Sequence, residues 1–288
     1  MSSATETRSI AFRDLETIDE IKVLEDLQIE AWGDDERDIV PLNQFSAARH
    51  VGGSLIGAFE GEKLVGFVYG FYGHLRGRVV HHSHMLAVLP AYRNHNLAFR
   101  LKLAQRNKVL TDKLTDRITW TFDPLQSLNA HFNFGKLGVL ADIYKVNVYG
   151  EAGTSFLHRN GTDRFFVTWL IHSERVEERI AGKTFPYKKS EDLPQNSSRL
   201  LASSNTGVPV RPIERLDLST AEPVLIEIPA DINSIEESDF DMARKWREET
   251  RRAFSEVLDA GFVVTEYFLK NGQTGIYLLE KNKLDDIS

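Results

Sequence analysis

Three histidines and a serine stand together in an apolar stretch of the chain, as His81, His82, Ser83 and His84. Because side chains alternate between the two faces of a strand, His82 and His84 share one face, while His81 and Ser83 share the other. Two imidazoles on one face could act as a general base or ligate a metal. No third or acidic ligand lies near them in the sequence. We therefore expect no metal and take His84 as the candidate base.

A polar turn and a helix follow these histidines. The apolar run at residues 85–89 stops at Pro90, the turn covers residues 92–96, and a helical periodicity begins at Leu97. The first amides of a helix have no partner within the helix, and the helix dipole adds positive potential at the same end. The sequence therefore predicts a main-chain site for phosphate or pyrophosphate at this junction.

Composition limits the classes of protein that this chain could represent. At 288 residues it could form two domains, and its net charge of −7 argues against nonspecific nucleic-acid binding. The absence of cysteine excludes disulfides, thiolate zinc sites and cysteine nucleophiles. The polar N-terminus lacks the apolar core of a signal peptide, and no apolar run is long enough to span a bilayer. We expect a soluble, cytoplasmic protein with neither nucleic-acid nor membrane partners.

Hydrophobic periodicity over the first 172 residues predicts the order β-α-α-β-β-β-α-β-α-β-β. The predicted strands cover residues 9–13, 54–59, 63–72, 79–89, 117–122, 139–148 and 164–171. The predicted helices cover residues 15–31, 41–50, 97–114 and 127–137. We expect Asp14 to cap the first helix, Gly33 to follow its end, and Gly138 to end the last one.

The remaining chain divides by composition into two parts. Residues 173–222 are charged at first and then rich in Ser, Asn and Pro, which is typical of a linker or flap. Residues 223–288 predict a β-α-β-β module with a long helix at 239–260. This order echoes the one that starts at residue 118. The sequence leaves open whether the module is a half-copy of the earlier part or a common motif without shared ancestry.

The loop at residues 88–98 resembles motif A of the GNAT superfamily of N-acetyltransferases. Val88 and Pro90 match its V-x-P, and Arg93 and Ala98 match its Arg-x-x-Gly-x-Ala, but Asn96 replaces the first glycine. Asparagine tolerates a positive φ better than other non-glycine residues. The element order of residues 8–172 also resembles the GNAT fold. The resemblance implies an α/β (α+β) fold: a mixed, mostly antiparallel sheet flanked by helices, followed by the smaller C-terminal module.

The resemblance implies acetyl-CoA, or another acyl-CoA, as cosubstrate, with its pyrophosphate held by the amides of the loop. Strand residues before the loop would face the pantetheine, and a motif B asparagine would contact the cofactor arm. The candidate cofactor-binding residues are Leu86, Ala87, Val88, Arg93, Asn94, His95, Asn96, Leu97, Ala98, Phe99, Asn129 and Phe134. For Arg100 we expect a solvated charge near the helix end.

The family's motif B carries a tyrosine that protonates the departing CoA thiolate, and Phe134 stands in its place. Tyr144 and His131 are candidate substitutes, with a plain structural role as the alternative for each. Asp123 is a second candidate base, because a carboxylate at the end of a strand would face the gap beside the cofactor. Its alternative is a turn residue before Pro124.

The sequence thus predicts a CoA-dependent acyltransferase that moves acetyl to an amine by direct attack. The alternative is a non-catalytic GNAT-like module that binds acyl-CoA or another ligand, which Asn96 and Phe134 motivate. The acceptor would be a small-molecule amine of unknown identity. The sequence leaves a homodimer open.

Overall fold

A computed structural model describes residues 9–33, 39–93, 95–150, 160–183, 192–213, 216–220, 222–270, 272–282 and 284. The chain divides into two compact units, Met1–Thr119 and Trp120–Ser288. The division falls inside the strand β5 (Arg117–Phe122) rather than at residue 172, where the sequence predicted a boundary.

The first unit has a mixed sheet flanked by helices. Strands β1 to β4 pair in sequence order and are antiparallel, and β5 joins β4 in parallel. A hydrophobic core packs the helices against this sheet. Its elements are β1 (Ile10–Asp14), α1 (Ile18–Trp32), α2 (Leu42–His50), β2 (Ser54–Glu60), β3 (Lys63–Leu75), β4 (Arg78–Val88), α3 (Leu97–Asp112) and the start of β5.

The start of α1 differs from the prediction. Asp14 ends β1, and Thr17 caps the helix. The hydroxyl of Thr17 accepts a hydrogen bond from the Glu20 amide, and the Glu20 carboxylate accepts one from the Thr17 amide. This reciprocal capping box satisfies two amides that Asp14 lies too far back in the chain to reach. Gly33 ends the helix in the left-handed conformation, as predicted.

The β3–β4 hairpin contains a bulge. Gly70 lies opposite Ser83 and Tyr69 lies opposite Met85, so the register gives His84 no partner on β3. A bulge increases the local twist and changes the direction in which a side chain points. The hairpin thus interrupts β4 at one of the histidines that the sequence singled out.

The second unit contains the end of β5 and the rest of the chain. Its later strands lie in the order β7-β6-β11-β12-β10-β8-β9. The elements are α4 (Ser127–Ala130), a π-helix (His131–Leu137), β6 (Leu140–Lys145), β7 (Arg164–Leu170), α5 (Glu174–Ile180), β8 (Ser198–Ser203), β9 (Pro209–Val210), β10 (Val224–Pro229), α6 (Ile232–Ser238), α7 (Phe240–Asp259), β11 (Val263–Lys270) and β12 (Thr274–Glu280). The predicted mixed, mostly antiparallel fold is confirmed, and the single predicted helix at 127–137 changes to π geometry after Ala130.

The segment predicted as a linker or flap contains regular structure. Helix α5 and strands β8 and β9 lie within residues 173–222. Nη2 of Arg179 donates to both carboxylate oxygens of Glu266, at 2.5 and 2.7 Å, and Arg175 lies 2.9 Å from the same carboxylate. All three side chains are buried. These partners are distant in sequence, so composition gave no sign of them.

The strands of the second unit include two sets of three that have the same order when each set is read outward from the β6–β11 pair. From β6 outward the order is β6-β7-β5, and from β11 outward it is β11-β12-β10. The two halves meet where β6 pairs antiparallel with β11, with Ala141 opposite Val264. In each half, a strand and helical segment precede two antiparallel strands. A half-copy would have this arrangement, and common ancestry stays a prediction.

Thr17→Ala should lower the free energy of unfolding by about 1 kcal/mol, because it removes the cap of α1. Asp14→Ala is the matched control and should change it by less than about 0.5 kcal/mol. Urea unfolding of both variants measures the difference. An equal loss in the two variants would contradict the capping assignment.

Candidate active site

Asn96 begins α3 in the left-handed conformation, with φ 59° and ψ 20°. The first helical hydrogen bond runs from the Arg100 amide to the Asn96 carbonyl, at 3.1 Å. The amides of Leu97, Ala98 and Phe99 precede it, and no side chain caps them in the described part of the loop. Three main-chain donors therefore converge at the positive end of a 16-residue helix.

The two arginines near this loop have partners of their own. Arg93 donates from Nη2 to the Ala31 carbonyl at 2.5 Å, which satisfies the end of α1. Arg100 lies 4.4 Å from the centre of the Phe12 ring and donates to the Ile10 carbonyl at 3.3 Å. Arg100 is exposed, and its side chain also packs on β1. Arg93 and His95 are exposed at the loop, and Asn94 lies outside the described residues.

The end of β4 can present main-chain groups to a ligand. Leu86, Ala87 and Val88 lie opposite Val68, Phe67 and Gly66 of β3. In an antiparallel strand, successive residues turn their amide and carbonyl alternately to one neighbour and to the other edge. The parallel register with β5 pairs His81 with Ile118 and His82 with Thr119, and β4 then continues to Val88. Part of this segment therefore turns its polar groups away from β3.

His84 stands at the bulge with its side chain exposed. Its ring packs edge-on against Tyr69 and lies near Phe71, with ring centres 5.9 Å apart in both pairs. The partial burial of the ring lowers the pKa of His84 below its usual range, so that it is neutral at physiological pH. An exposed, neutral imidazole is suited to accept a proton.

His82 lies on the same face as His84, as predicted, with ring centres 6.2 Å apart. Nδ1 of His82 is 3.1 Å from the hydroxyl of Thr119. Desolvation, with a smaller contribution from His84, lowers its pKa to about 4. Among the described residues, no group of three or more His, Asp or Glu side chains could hold a metal ion.

Asp123 is an ion-pair partner in the second unit. Its two carboxylate oxygens accept hydrogen bonds from Arg247 of α7, at 2.8 and 2.5 Å, and Oδ1 also accepts the Leu125 amide. Arg164 lies 4.0 Å away. Because both oxygens are bound to a guanidinium, the structure favours the turn and pairing role over the role of base.

Tyr144 is also engaged. Its hydroxyl donates to Asp163 at 2.6 Å, and Arg251 pairs with the same buried carboxylate. Burial, together with the negative charge of Asp163, raises the pKa of Tyr144 well above its usual range. A phenol that holds its proton this strongly and donates it to a fixed carboxylate is a poor acid for a leaving thiolate.

The motif B residues lie on the two successive helical segments after β5. Asn129 and His131 are exposed, whereas Phe134 is fully buried. The Phe134 ring packs edge-on against Phe122 and Tyr277, at 6.2 and 5.8 Å. Phe134 is therefore a core residue. Because its side chain is fully buried, it does not present a surface for the predicted contact with a cofactor. Desolvation lowers the pKa of His131, which leaves it without a proton to give at neutral pH.

Sequence reasoning missed a buried polar cluster on the α3 side of the first unit. We call it the α3 cluster and define it as Ser54, His81, Ser83, Lys102 and Gln105. Lys102 donates to the Ser83 hydroxyl at 2.7 Å. Ser54 lies 2.9 Å from Nε2 of His81 and accepts a hydrogen bond from Gln105 at 3.0 Å. All five are buried, and polar residues at i and i+3 on an otherwise apolar helix face were the available signal.

Burial determines the charge of this cluster. Desolvation lowers the pKa of Lys102 well below its usual range. Desolvation, reinforced by Lys102, lowers the pKa of His81 to about 3. Within the described part of the chain, Nδ1 of His81 and Oε1 of Gln105 have no hydrogen-bond partner. The cluster is therefore held together by hydrogen bonds among buried side chains.

Part of the chain matches a known family. Residues 15–132 match the model of the acetyltransferase (GNAT) family. The match covers less than half of the chain, and the matched residues include the left-handed Asn96 and the helix that follows it. Acetyl transfer from acyl-CoA is the general activity of this family.

Several solved structures are similar at low identity. The ribosomal-protein-S18-alanine N-acetyltransferase of Escherichia coli is 12% identical, with a TM-score of 0.46, over 57% of this chain and 94% of that one. A GNAT-family acetyltransferase of Streptococcus pneumoniae is 14% identical, with a TM-score of 0.44, over 56% and 98%. The PaiA N-acetyltransferase of Thermoplasma acidophilum, in complex with coenzyme A, is 15% identical, with a TM-score of 0.38, over 56% and 98%.

No curated protein matches the chain. Across the described residues, none of the helices combines the length and the apolar character needed to cross a membrane.

Acidification should destabilise the protein through its buried histidines. In the folded protein the pKa values of His81 and His82 are about 3 and about 4, whereas in the unfolded chain a histidine binds a proton near pH 6.5. Because the unfolded chain therefore binds more protons between these pH values, stability is lost as the pH falls. Each such histidine should cost roughly 2 kcal/mol between pH 7 and pH 5. Urea unfolding at the two pH values measures this loss.

His81→Gln should remove roughly 2 kcal/mol of the pH-dependent loss, whatever its effect at pH 7. His74→Gln, at an exposed histidine, is the control and should leave the pH dependence unchanged. An identical dependence in wild type and His81→Gln would show that His81 is not held neutral.

Proposed function

We propose that this protein transfers an acetyl group from acetyl-CoA to a small-molecule amine by direct attack. The observation that supports the proposal is the left-handed Asn96, which begins α3 without a side-chain cap at a loop inside the residues that match the GNAT family model. Glycine is the usual residue in this conformation, and here an asparagine, Asn96, adopts it.

The cofactor would be held mainly by main-chain groups. The amides of Leu97, Ala98 and Phe99 would bind the pyrophosphate, because a helix N-terminus favours a negative charge. Arg93 lies exposed at the same loop and would add positive charge. The main-chain groups of Leu86–Val88 that turn away from β3 would bind the amides of the pantetheine. Asn129, exposed after β5, stays the candidate for contact with the cofactor arm.

His84 would serve as the base. It would take the proton from the acceptor ammonium, and the neutral amine would then attack the thioester carbonyl. Amides near the bulge that are released from β3 would stabilise the oxyanion of the tetrahedral intermediate. The nitrogen of the intermediate would lose its second proton to solvent, and collapse would then form the neutral amide as the C–S bond breaks and the CoA thiolate leaves.

The fate of the thiolate favours a second candidate function. Phe134 has no proton to give, the Tyr144 hydroxyl is bound to Asp163, and His131 is neutral. In an active enzyme, solvent would protonate the thiolate. If solvent does not suffice, the protein is a module that binds acyl-CoA without turnover. Release of free CoA in the presence of amines distinguishes the two functions.

Asn96→Val should weaken acetyl-CoA binding about tenfold, because a β-branched residue disfavours positive φ by 1 to 2 kcal/mol in order of magnitude. Asn96→Gly should bind within about threefold of wild type. Isothermal titration measures both affinities. Lys113 ends α3 in the same conformation, with φ 56°, so Lys113→Val strains the backbone equally and should leave the affinity unchanged.

Two results would count against this assignment. Wild-type protein that shows neither heat nor a thermal shift with millimolar acetyl-CoA would reject the cofactor. Equal affinity in wild type and Asn96→Val would show that the left-handed residue does not present the binding amides.

His84→Gln should lower kcat about a hundredfold or more and leave the KM for acetyl-CoA unchanged, because only proton removal is lost. Free CoA can be followed with a thiol reagent across an amine panel, and the protein contributes no background because it has no cysteine. Because the pKa of His84 is lowered, wild-type activity should fall only below pH 6.5. His74→Gln is the control, and an active His84→Gln would exclude His84 as the base.

A further inference from the structure

The register of β4 decides which face of the sheet receives His84. Side chains alternate along a strand, so a slip by one residue would move every side chain of β4 to the opposite face. His84 would then point toward α3, and Ser83 would take its place. A strand with a bulge has more than one way to pair, so this hairpin needs contacts that select one register.

The α3 cluster provides such contacts directly before the bulge. Ser83 precedes His84, and its hydroxyl receives the hydrogen bond from Lys102. His81 precedes the bulge by three residues and meets Ser54 of β2 and Gln105 of α3. Each polar side chain finds its partner in this register alone, because a slip would leave buried polar groups of β2 and α3 opposite the other face of β4.

Close packing supports the same register on the opposite strand. Gly70 of β3 lies opposite Ser83, and a Cβ on it would come within 2.6 Å of Nε2 of His81 and 2.9 Å of Nε2 of Gln105. It would also come within 2.7 Å of the His82 carbonyl. The absence of a side chain at Gly70 therefore lets the cluster close over β3.

We propose that Lys102 is a positioning residue: its hydrogen bond to Ser83 fixes the register of β4 at the bulge and thereby holds His84 on the exposed face. In some proteins a buried polar group selects one structural arrangement while adding little to stability. Lys102 is suited to this role because its amine is buried and lies 2.7 Å from the Ser83 hydroxyl, the residue directly before the bulge. The catalytic meaning of this role rests on the proposed function, but the geometric role does not.

The test compares Lys102→Met with Ser83→Ala. Either variant should shift the His84 imidazole resonance at pH 7.5, with His84→Gln used to assign it, and should speed hydrogen exchange of the β4 amides next to the bulge.

In the turnover assay, kcat should fall about tenfold while the KM for acetyl-CoA stays within about twofold. The double variant should match either single variant, because both remove one interaction. Ser83→Thr keeps the hydroxyl and should restore the wild-type resonance.

Two controls separate positioning from stability and from the proposed function. Lys108→Met removes a lysine of the same helix that pairs with Asp112, 3.4 Å away, and should leave the His84 resonance unchanged. An unchanged resonance and kcat in both Lys102→Met and Ser83→Ala would overturn the proposal, even if their melting temperatures fell. If wild type releases no CoA, the proposed function fails, and the resonance and exchange still decide the role of Lys102.

Discussion

The conformation of one residue, Asn96, determines where the first turn of α3 points its amides. A left-handed residue turns the chain so that the helix can begin directly after the strand, with three donors facing outward. The pairing of Arg93 with the end of α1 helps to hold this turn from outside. The remaining parts of the candidate site lie along β4, which leads into the turn. A cofactor bound at this loop would therefore be oriented by backbone geometry more than by side-chain charge.

The two faces of β4 have different roles. One face carries His82 and His84 among aromatic rings, with both imidazoles kept neutral by desolvation. The other face carries His81 and Ser83 in the α3 cluster. The same run of four residues, His81 to His84, thus has two parts. One face carries the candidate base, and the other face carries the hydrogen bonds that we propose select the register of β4. Because side chains alternate along β4, the position of His84 depends on how Ser83 and His81 pack against α3.

Local patterns predicted what depends on local sequence. The strands of the first unit, the two-faced histidine run and the left-handed Asn96 all follow from spacing and residue type, and the structure has them. The cap at Thr17 and the change to π geometry after Ala130 differ from the prediction, because each depends on a choice between neighbouring residues.

The roles of Asp123 and Tyr144 depend on partners far along the chain. Arg247 lies 124 residues from Asp123, and no periodicity encodes such a pairing.

The two halves of the second unit are joined where β6 pairs with β11, with Ala141 opposite Val264. Separation of the chain near residue 172 would remove β11 and expose the amides and carbonyls along one side of β6. An unpaired strand of this kind acts as a template for other chains and promotes aggregation. A form of the protein that ends near residue 172 would thus need a replacement strand beside β6 to stay in solution.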